Sequence, residues 1–81
     1  MFYVYIIQSK KNTSFYIGYT SDILKRIEQH NTGKSRYTMT GIPWELVYIE
    51  EFKIKREAII GERFLKQQKN KEFYLKLIQS K

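Results

Sequence analysis

The sequence contains no cysteine in 81 residues. That excludes a disulfide framework, a thiolate nucleophile and any cysteine-ligated zinc. Acidic side chains are scarce: eight Asp and Glu stand against fifteen Lys and Arg, and one histidine supplies the sole imidazole. No apolar run approaches the roughly 18–20 residues that a helical membrane span needs. The opening MFYVYII runs straight into strand-like sequence without a basic leader, so it is read as structure and not as a signal peptide. No internal repeat, low-complexity tract or linker appears. The length leaves room for one domain, residues 1–81. A small fold that needs no staples suits the cytoplasm.

What is present is enough for a core. The hydrophobic content is 42% and the aromatic content 16%, a composition that argues against a disordered tail. The net charge of +7 points to a polyanionic partner, nucleic acid foremost. That charge is unevenly spread. Residues 1–52 carry six Lys and Arg and five Asp and Glu, whereas residues 53–81 carry nine and three. The last third is thus either an electrostatic grip for phosphates or a solvated helical face that keeps the chain soluble.

Aromatic and β-branched residues without helical spacing predict a strand over residues 2–8 and a second, short strand over 15–19. The polar stretch between them has hairpin length, so the two strands are expected to be antiparallel neighbours. Gly18 inside the second strand suggests a bulge or a close approach by another backbone. Thr20, Ser21 and Asp22 offer three candidate caps for a helix beginning at Ile23. Its apolar stripe is read as Ile23, Leu24 and Ile27, and Gly33 as its left-handed end. Residues 34–42 read as a polar, basic loop, followed after Pro43 by a third strand over 44–52. Helical spacing returns over 55–68, with Ala58, Gly61 and Leu65 on one side and Phe64 beside them. A further helix is expected over about 71–79. The predicted fold class is α+β: a three-stranded antiparallel sheet flanked by helices, in the order β-β-α-β-α-α.

Hydrolysis of a phosphodiester needs a cation for developing negative charge, a group that activates water, and help for the leaving oxygen. Candidate parts are Tyr5 and Tyr16 on adjacent strands, Arg26 and His30 on the first helix, and Glu62 on the second. Arg26 and His30 are four residues apart, so both can act on one point in space. Glu62, a carboxylate among many cations, is a plausible seat for one hard divalent ion that retains several waters. Each residue also has an ordinary structural explanation. The tyrosines suit a core, His30 suits a helix end, and Glu62 suits an i, i+4 pair with Lys66. Residue types and spacing leave both readings open.

Several segments together resemble the GIY-YIG nuclease superfamily. They are Val4–Tyr5–Ile6, then Tyr16–Ile17–Gly18 after a short hairpin, then Arg26 and His30, then REAIIGERFLK with Glu62. GYTSDILKRIEQHN, SRYT and PWELVYIEEF are similar to the small stand-alone proteins of that superfamily, so the likeness runs from about Phe2 to Ile78. It implies an endonuclease that hydrolyses DNA with one Mg²⁺ or Mn²⁺ ion, weakly specific or structure-selective and linked to repair or recombination. It implies that Tyr5 or Tyr16 helps to deprotonate the attacking water and that Arg26 contacts the scissile phosphate. By the same likeness His30 moves a proton or touches phosphate, and Glu62 binds the metal. Gly18 would keep its strand slim beside the reacting tyrosine.

Two departures stand out. Tyr3 replaces the glycine of the first motif, and Tyr74 stands where many superfamily nucleases have a late asparagine, with Asn70 the nearest one. With no attached DNA-binding domain expected, Lys34, Arg36, Tyr37, Lys66, Lys69 and Lys71 are the residues expected to grip DNA. Tyr37 or Trp44 is a candidate to stack on an exposed base, with core packing the competing fate of Trp44. A place in a larger repair complex is a further expectation, whereas a membrane or a small-molecule cofactor is not. The alternative is a non-catalytic nucleic-acid-binding module on the same fold.

Overall fold

The computed structural model describes residues 1–80. Strands β1 (Phe2–Ser9), β2 (Phe15–Thr20) and β3 (Trp44–Phe52) form one antiparallel sheet in the order β2-β1-β3. Helix α1 (Ile23–Asn31) follows β2, and a 3-10 helix (Arg36–Gly41) fills most of the segment read as a loop. Helices α2 (Lys55–Gln68) and α3 (Lys71–Gln79) close the chain. The predicted order and fold class hold. No helix among the described residues is long and apolar enough to cross a membrane.

Because β1 is central, both of its faces are covered, and its alternate side chains build two separate cores. Val4 and Ile6 join Ile17, Tyr48, Ala58, Leu65 and Tyr74 beneath α2 and α3. Tyr5 and Ile7 join Trp44 on the other face, flanked by Tyr16, Ile23, Ile27 and Ile42. An irregularity between Ile6 and Ile7 lets both cores draw on β3: Tyr48 pairs with Ile6, but Leu46 pairs with Ile7, so Val47 is skipped. One extra residue reverses the alternation. Trp44 thus lies on the Tyr5 face, although it is an even number of residues from Tyr48. The irregularity sits there and not at Gly18, where the strand pairing is continuous.

Local chemistry sets the helix ends. Asp22 caps α1 by accepting from the Lys25 amide at 3.1 Å, and Gly33, at φ +81°, takes the left-handed turn beyond it. Asn70 caps α3 by accepting from the amides of Glu72 and Phe73. Tyr74 is buried and donates its hydroxyl to the Leu65 carbonyl at 2.6 Å. Leu24 departs from the expected stripe: it is 82% exposed, because α1 rests on the sheet through Ile23 and Ile27 instead. Phe64 is likewise mostly exposed, on the outer side of α2. Trp44 is buried, with its indole N–H donated to the Thr38 carbonyl at 2.7 Å, so it is core and not a base-stacking platform.

Candidate active site

The odd-numbered face of β1 presents Tyr5 to α1. Directly across the ladder stands Gly18, and Tyr16 is opposite Ile7, so the two tyrosines are diagonal neighbours on one face. The Tyr5 ring lies over Gly18: a Cβ there would stand 2.6 Å from the hydroxyl oxygen and 2.8 Å from Cζ. The glycine admits a side chain from the next strand, not a neighbouring backbone. Gly18→Ala is expected to cost about 1–3 kcal/mol, because the Tyr5 ring is held at its tip and cannot withdraw cheaply. Chemical denaturation reads this directly, and a change below about 0.5 kcal/mol would contradict the close packing.

The Tyr5 hydroxyl is hydrogen-bonded to His30 Nε2 at 2.8 Å, and the charges of the Arg26 guanidinium and the Glu62 carboxylate are felt there, while Arg26 itself donates to Gln29 Oε1 at 3.0 Å. Burial pushes Tyr5 up to about 12. Arg26 pulls the other way, and Tyr16 and Glu62 push further up. His30 is fully buried at the end of α1, which lowers it to about 4, with the Arg26 charge adding to the effect. At neutral pH the site therefore holds a neutral phenol, a neutral imidazole and a permanent cation. The Tyr16 ring stands edge-on to the His30 ring at 5.0 Å between centroids and helps to enclose it. The second nitrogen of His30, Nδ1, is 2.8 Å from Thr38 Oγ1.

Glu62 comes from α2, in the layer beyond the sheet. Its side chain keeps 14% exposure and pairs with Lys66 at 3.6 Å. That separation is long for a charge-assisted hydrogen bond, and such i, i+4 pairs contribute only about 0.3–0.5 kcal/mol. No cluster of three or more His, Cys, Asp or Glu side chains exists among the described residues. The donor set therefore offers one hard carboxylate, which fits a divalent cation that keeps most of its water and takes further oxygens from a phosphate. It does not fit zinc or another metal that demands an all-protein cage.

The sequence model of the GIY-YIG catalytic domain family matches residues 1–76. The chain belongs to the GIY-YIG family. The GIY-YIG domain is a nuclease domain, and divalent ions serve its nucleases generally. The chain is 42% identical over 76 residues to the UPF0213 protein YazA of Bacillus subtilis, covering 90% of this chain and 76% of that protein. Its identity to a UPF0213 protein of Staphylococcus haemolyticus is 47% over 74 residues, covering 85% and 89% respectively. A solution NMR structure of a UPF0213 protein from Bacillus halodurans matches all of this chain and 86% of that one, with a TM-score of 0.61 and 36% identity.

Within this GIY-YIG fold the sequence-predicted residues divide into two groups. Tyr5, Tyr16, Arg26 and His30 are brought together on one face, with Glu62 close enough to act on Tyr5 electrostatically. Lys34, Arg36 and Tyr37 are exposed at and around the start of the 3-10 helix, Tyr37 at 89%. Lys66, Lys69 and Lys71 are exposed where α2 turns into α3, with Lys71 donating to Thr13 Oγ1 in the β1–β2 turn at 3.2 Å. Asn70 spends its side chain on the α3 cap, which leaves it no part in the site. Sequence reasoning missed Thr38, whose hydroxyl touches His30. Composition and spacing did not set it apart, and its one signal was its place in SRYT, a segment that carries part of the family resemblance.

Proposed function

We propose that this GIY-YIG chain is a single-domain, metal-dependent endonuclease that hydrolyses DNA phosphodiesters. The observation that carries this reading is a buried phenol hydrogen-bonded to a neutral imidazole, with the Arg26 guanidinium close enough to act on both by its charge. A pure binding module has no use for a buried phenol–imidazole pair beside a cation.

In this reading Arg26 draws a backbone phosphate to the Tyr5 hydroxyl and balances charge as the phosphorus is attacked. The incoming phosphate offsets the Arg26 cation and so relieves the smaller of the two effects that lower His30, while burial still disfavours its charge. Tyr5 is then the water-activating group. As its own proton passes to His30, its oxygen accepts one from the water, and the net transfer is from water to imidazole. Glu62 would hold the divalent ion, which when bound neutralises charge on the phosphate and leaving oxygens. Lys34, Arg36 and Tyr37 flank the site, and Lys69 and Lys71 extend the grip. Contacts of this kind hold the backbone without reading sequence, which supports selection by DNA shape.

Nicked, branched and supercoiled DNA incubated with Mg²⁺ or Mn²⁺ tests the proposal. Cleavage is expected with metal and not with chelator, and Arg26→Ala is expected to slow it about 10²-fold. Salt-sensitive binding with no cleavage under any of these conditions would instead establish the non-catalytic module, in which the Glu62–Lys66 pair is merely a helix contact.

A further inference from the structure

Thr38 is fully buried, yet it is polar, lies outside the five residues given chemical roles above, and touches one of them. Its place is fixed from several directions. Its amide donates to the Ser35 carbonyl at 3.2 Å, and its carbonyl accepts the Trp44 indole N–H at 2.7 Å. Trp44 is itself held by Asn31, which accepts the Trp44 amide at 2.6 Å and donates to its carbonyl at 3.1 Å. At the other end of the 3-10 helix, the Ser9 hydroxyl donates to the Gly41 carbonyl at 2.6 Å. The hydroxyl of Thr38 is thus presented to His30 Nδ1 by a segment with little freedom.

Counting protons along the chain of contacts gives it a direction. The Arg26 guanidinium, whose charge acts on Tyr5, has no acceptor atom and cannot take the phenol proton. The phenol proton then needs an acceptor, and His30 Nε2 stands at 2.8 Å. A neutral imidazole has one N–H and one bare nitrogen. With Nε2 bare, Nδ1 carries the hydrogen and donates it to Thr38 Oγ1, also at 2.8 Å. The Thr38 hydroxyl has its own acceptor in the Ser35 carbonyl at 3.3 Å. Every donor finds an acceptor, in keeping with the absence of unsatisfied buried side-chain polar atoms among the described residues. The opposite tautomer would leave the phenol proton without a partner and set a bare Nδ1 against a Thr38 hydroxyl whose hydrogen already goes to the Ser35 carbonyl.

We infer that Thr38 is a positioning residue that holds His30 in its Nδ1–H tautomer, leaving Nε2 bare to accept the Tyr5 proton. Its consequence for catalysis rests on the phosphodiester-cleavage reading; the tautomer itself does not. When the proton moves, the O–H bond of Tyr5 breaks and an N–H bond forms at Nε2. The imidazolium keeps its Nδ1 hydrogen on Thr38 Oγ1, and the phenol oxygen takes its replacement proton from the attacking water. Without Thr38, His30 is free to carry its hydrogen on Nε2 and cannot receive that proton.

Because His30 is the sole histidine, long-range ¹H–¹⁵N correlation on uniformly labelled protein without DNA reads its two ring nitrogens unambiguously. The wild type is expected to show a protonated Nδ1 and a bare Nε2. Thr38→Val, close in shape but lacking the acceptor, is expected to shift the ring towards Nε2–H while the rest of the spectrum keeps its dispersion. Thr38→Ser should restore the wild-type signals. Cleavage should fall roughly 10–100-fold in Thr38→Val and recover in Thr38→Ser. An Nε2–H tautomer in the wild type, or an unchanged tautomer in a folded Thr38→Val, overturns the inference. If Thr38→Val does not fold, the wild-type and Thr38→Ser spectra still decide it. Absence of cleavage in the wild type would defeat the nuclease reading and leave the tautomer result standing.

Discussion

Replacing Glu62 with alanine is expected to reduce metal-dependent DNA cleavage by about 10³-fold or more, to background, with the fold and DNA binding retained. A loss of that size corresponds to about 4 kcal/mol of transition-state stabilisation, the scale on which a bound cation acts at a phosphate. Glu62 is the acidic side chain whose charge reaches the Tyr5 hydroxyl, and no other acidic or imidazole cluster stands by to replace it among the described residues. Its structural role is small. The contact with Lys66 is a long, partly exposed helix pair, so its removal should shift stability by less than about 0.5 kcal/mol. Freeing Lys66 and raising the net charge should leave DNA binding equal or slightly tighter at low salt. Cleavage assayed beside binding and thermal unfolding separates these effects. Metal-dependent cleavage that survives in Glu62→Ala would remove Glu62 from the mechanism and, if no residue of the Tyr5 site matters either, would point to a contaminant.

The second large effect concerns acid. His30 is lowered from the ordinary 6.5 to about 4 in the folded chain, because burial and the neighbouring Arg26 cation both disfavour imidazolium. Below about pH 6.5 the unfolded chain takes up a proton that the folded chain refuses until about pH 4. The stability that His30 contributes is therefore complete above about pH 6.5 and is lost progressively as pH falls through about 4, amounting to about 3 kcal/mol. For a small domain that is a large share of the total. His30→Gln lacks this group, so the stability difference between wild type and variant, measured by denaturant unfolding, should move by about that amount across the window. Other carboxylates titrate equally in both proteins and cancel. Parallel pH profiles for the two proteins would show that the folded site accommodates imidazolium.

Much of the architecture was legible in the sequence, because the signals for it are local. Aromatic and β-branched runs marked the strands, the Thr20, Ser21 and Asp22 run and Gly33 marked the ends of α1, and the apolar spacing of Ala58, Gly61 and Leu65 marked the packed side of α2. The site residues were legible only in part. Arg26 and His30 share a helix flank by arithmetic, so their common action on one side chain followed once that side chain was known to be Tyr5. Leu24 misled, since an apolar residue beside a stripe carries no mark of which way its helix will rest. The strand position of Gly18 suggested a bulge or an approaching backbone, whereas the family resemblance set a tyrosine beside it, and the Tyr5 ring is what lies there.

What this chain's sequence determined by itself is therefore its elements, its charge balance and its family resemblance, each set by neighbours along the chain or by residue type. What only the tertiary structure decided is how separate elements meet. The skipped residue at Val47 sends Tyr48 and Trp44 to opposite cores, and the clamped 3-10 helix brings Thr38 to His30 across a turn with no periodic pattern. Burial then turns an ordinary phenol and imidazole into a neutral, mutually bonded pair. Desolvation depends on everything packed around a group, and no stretch of sequence contains that information.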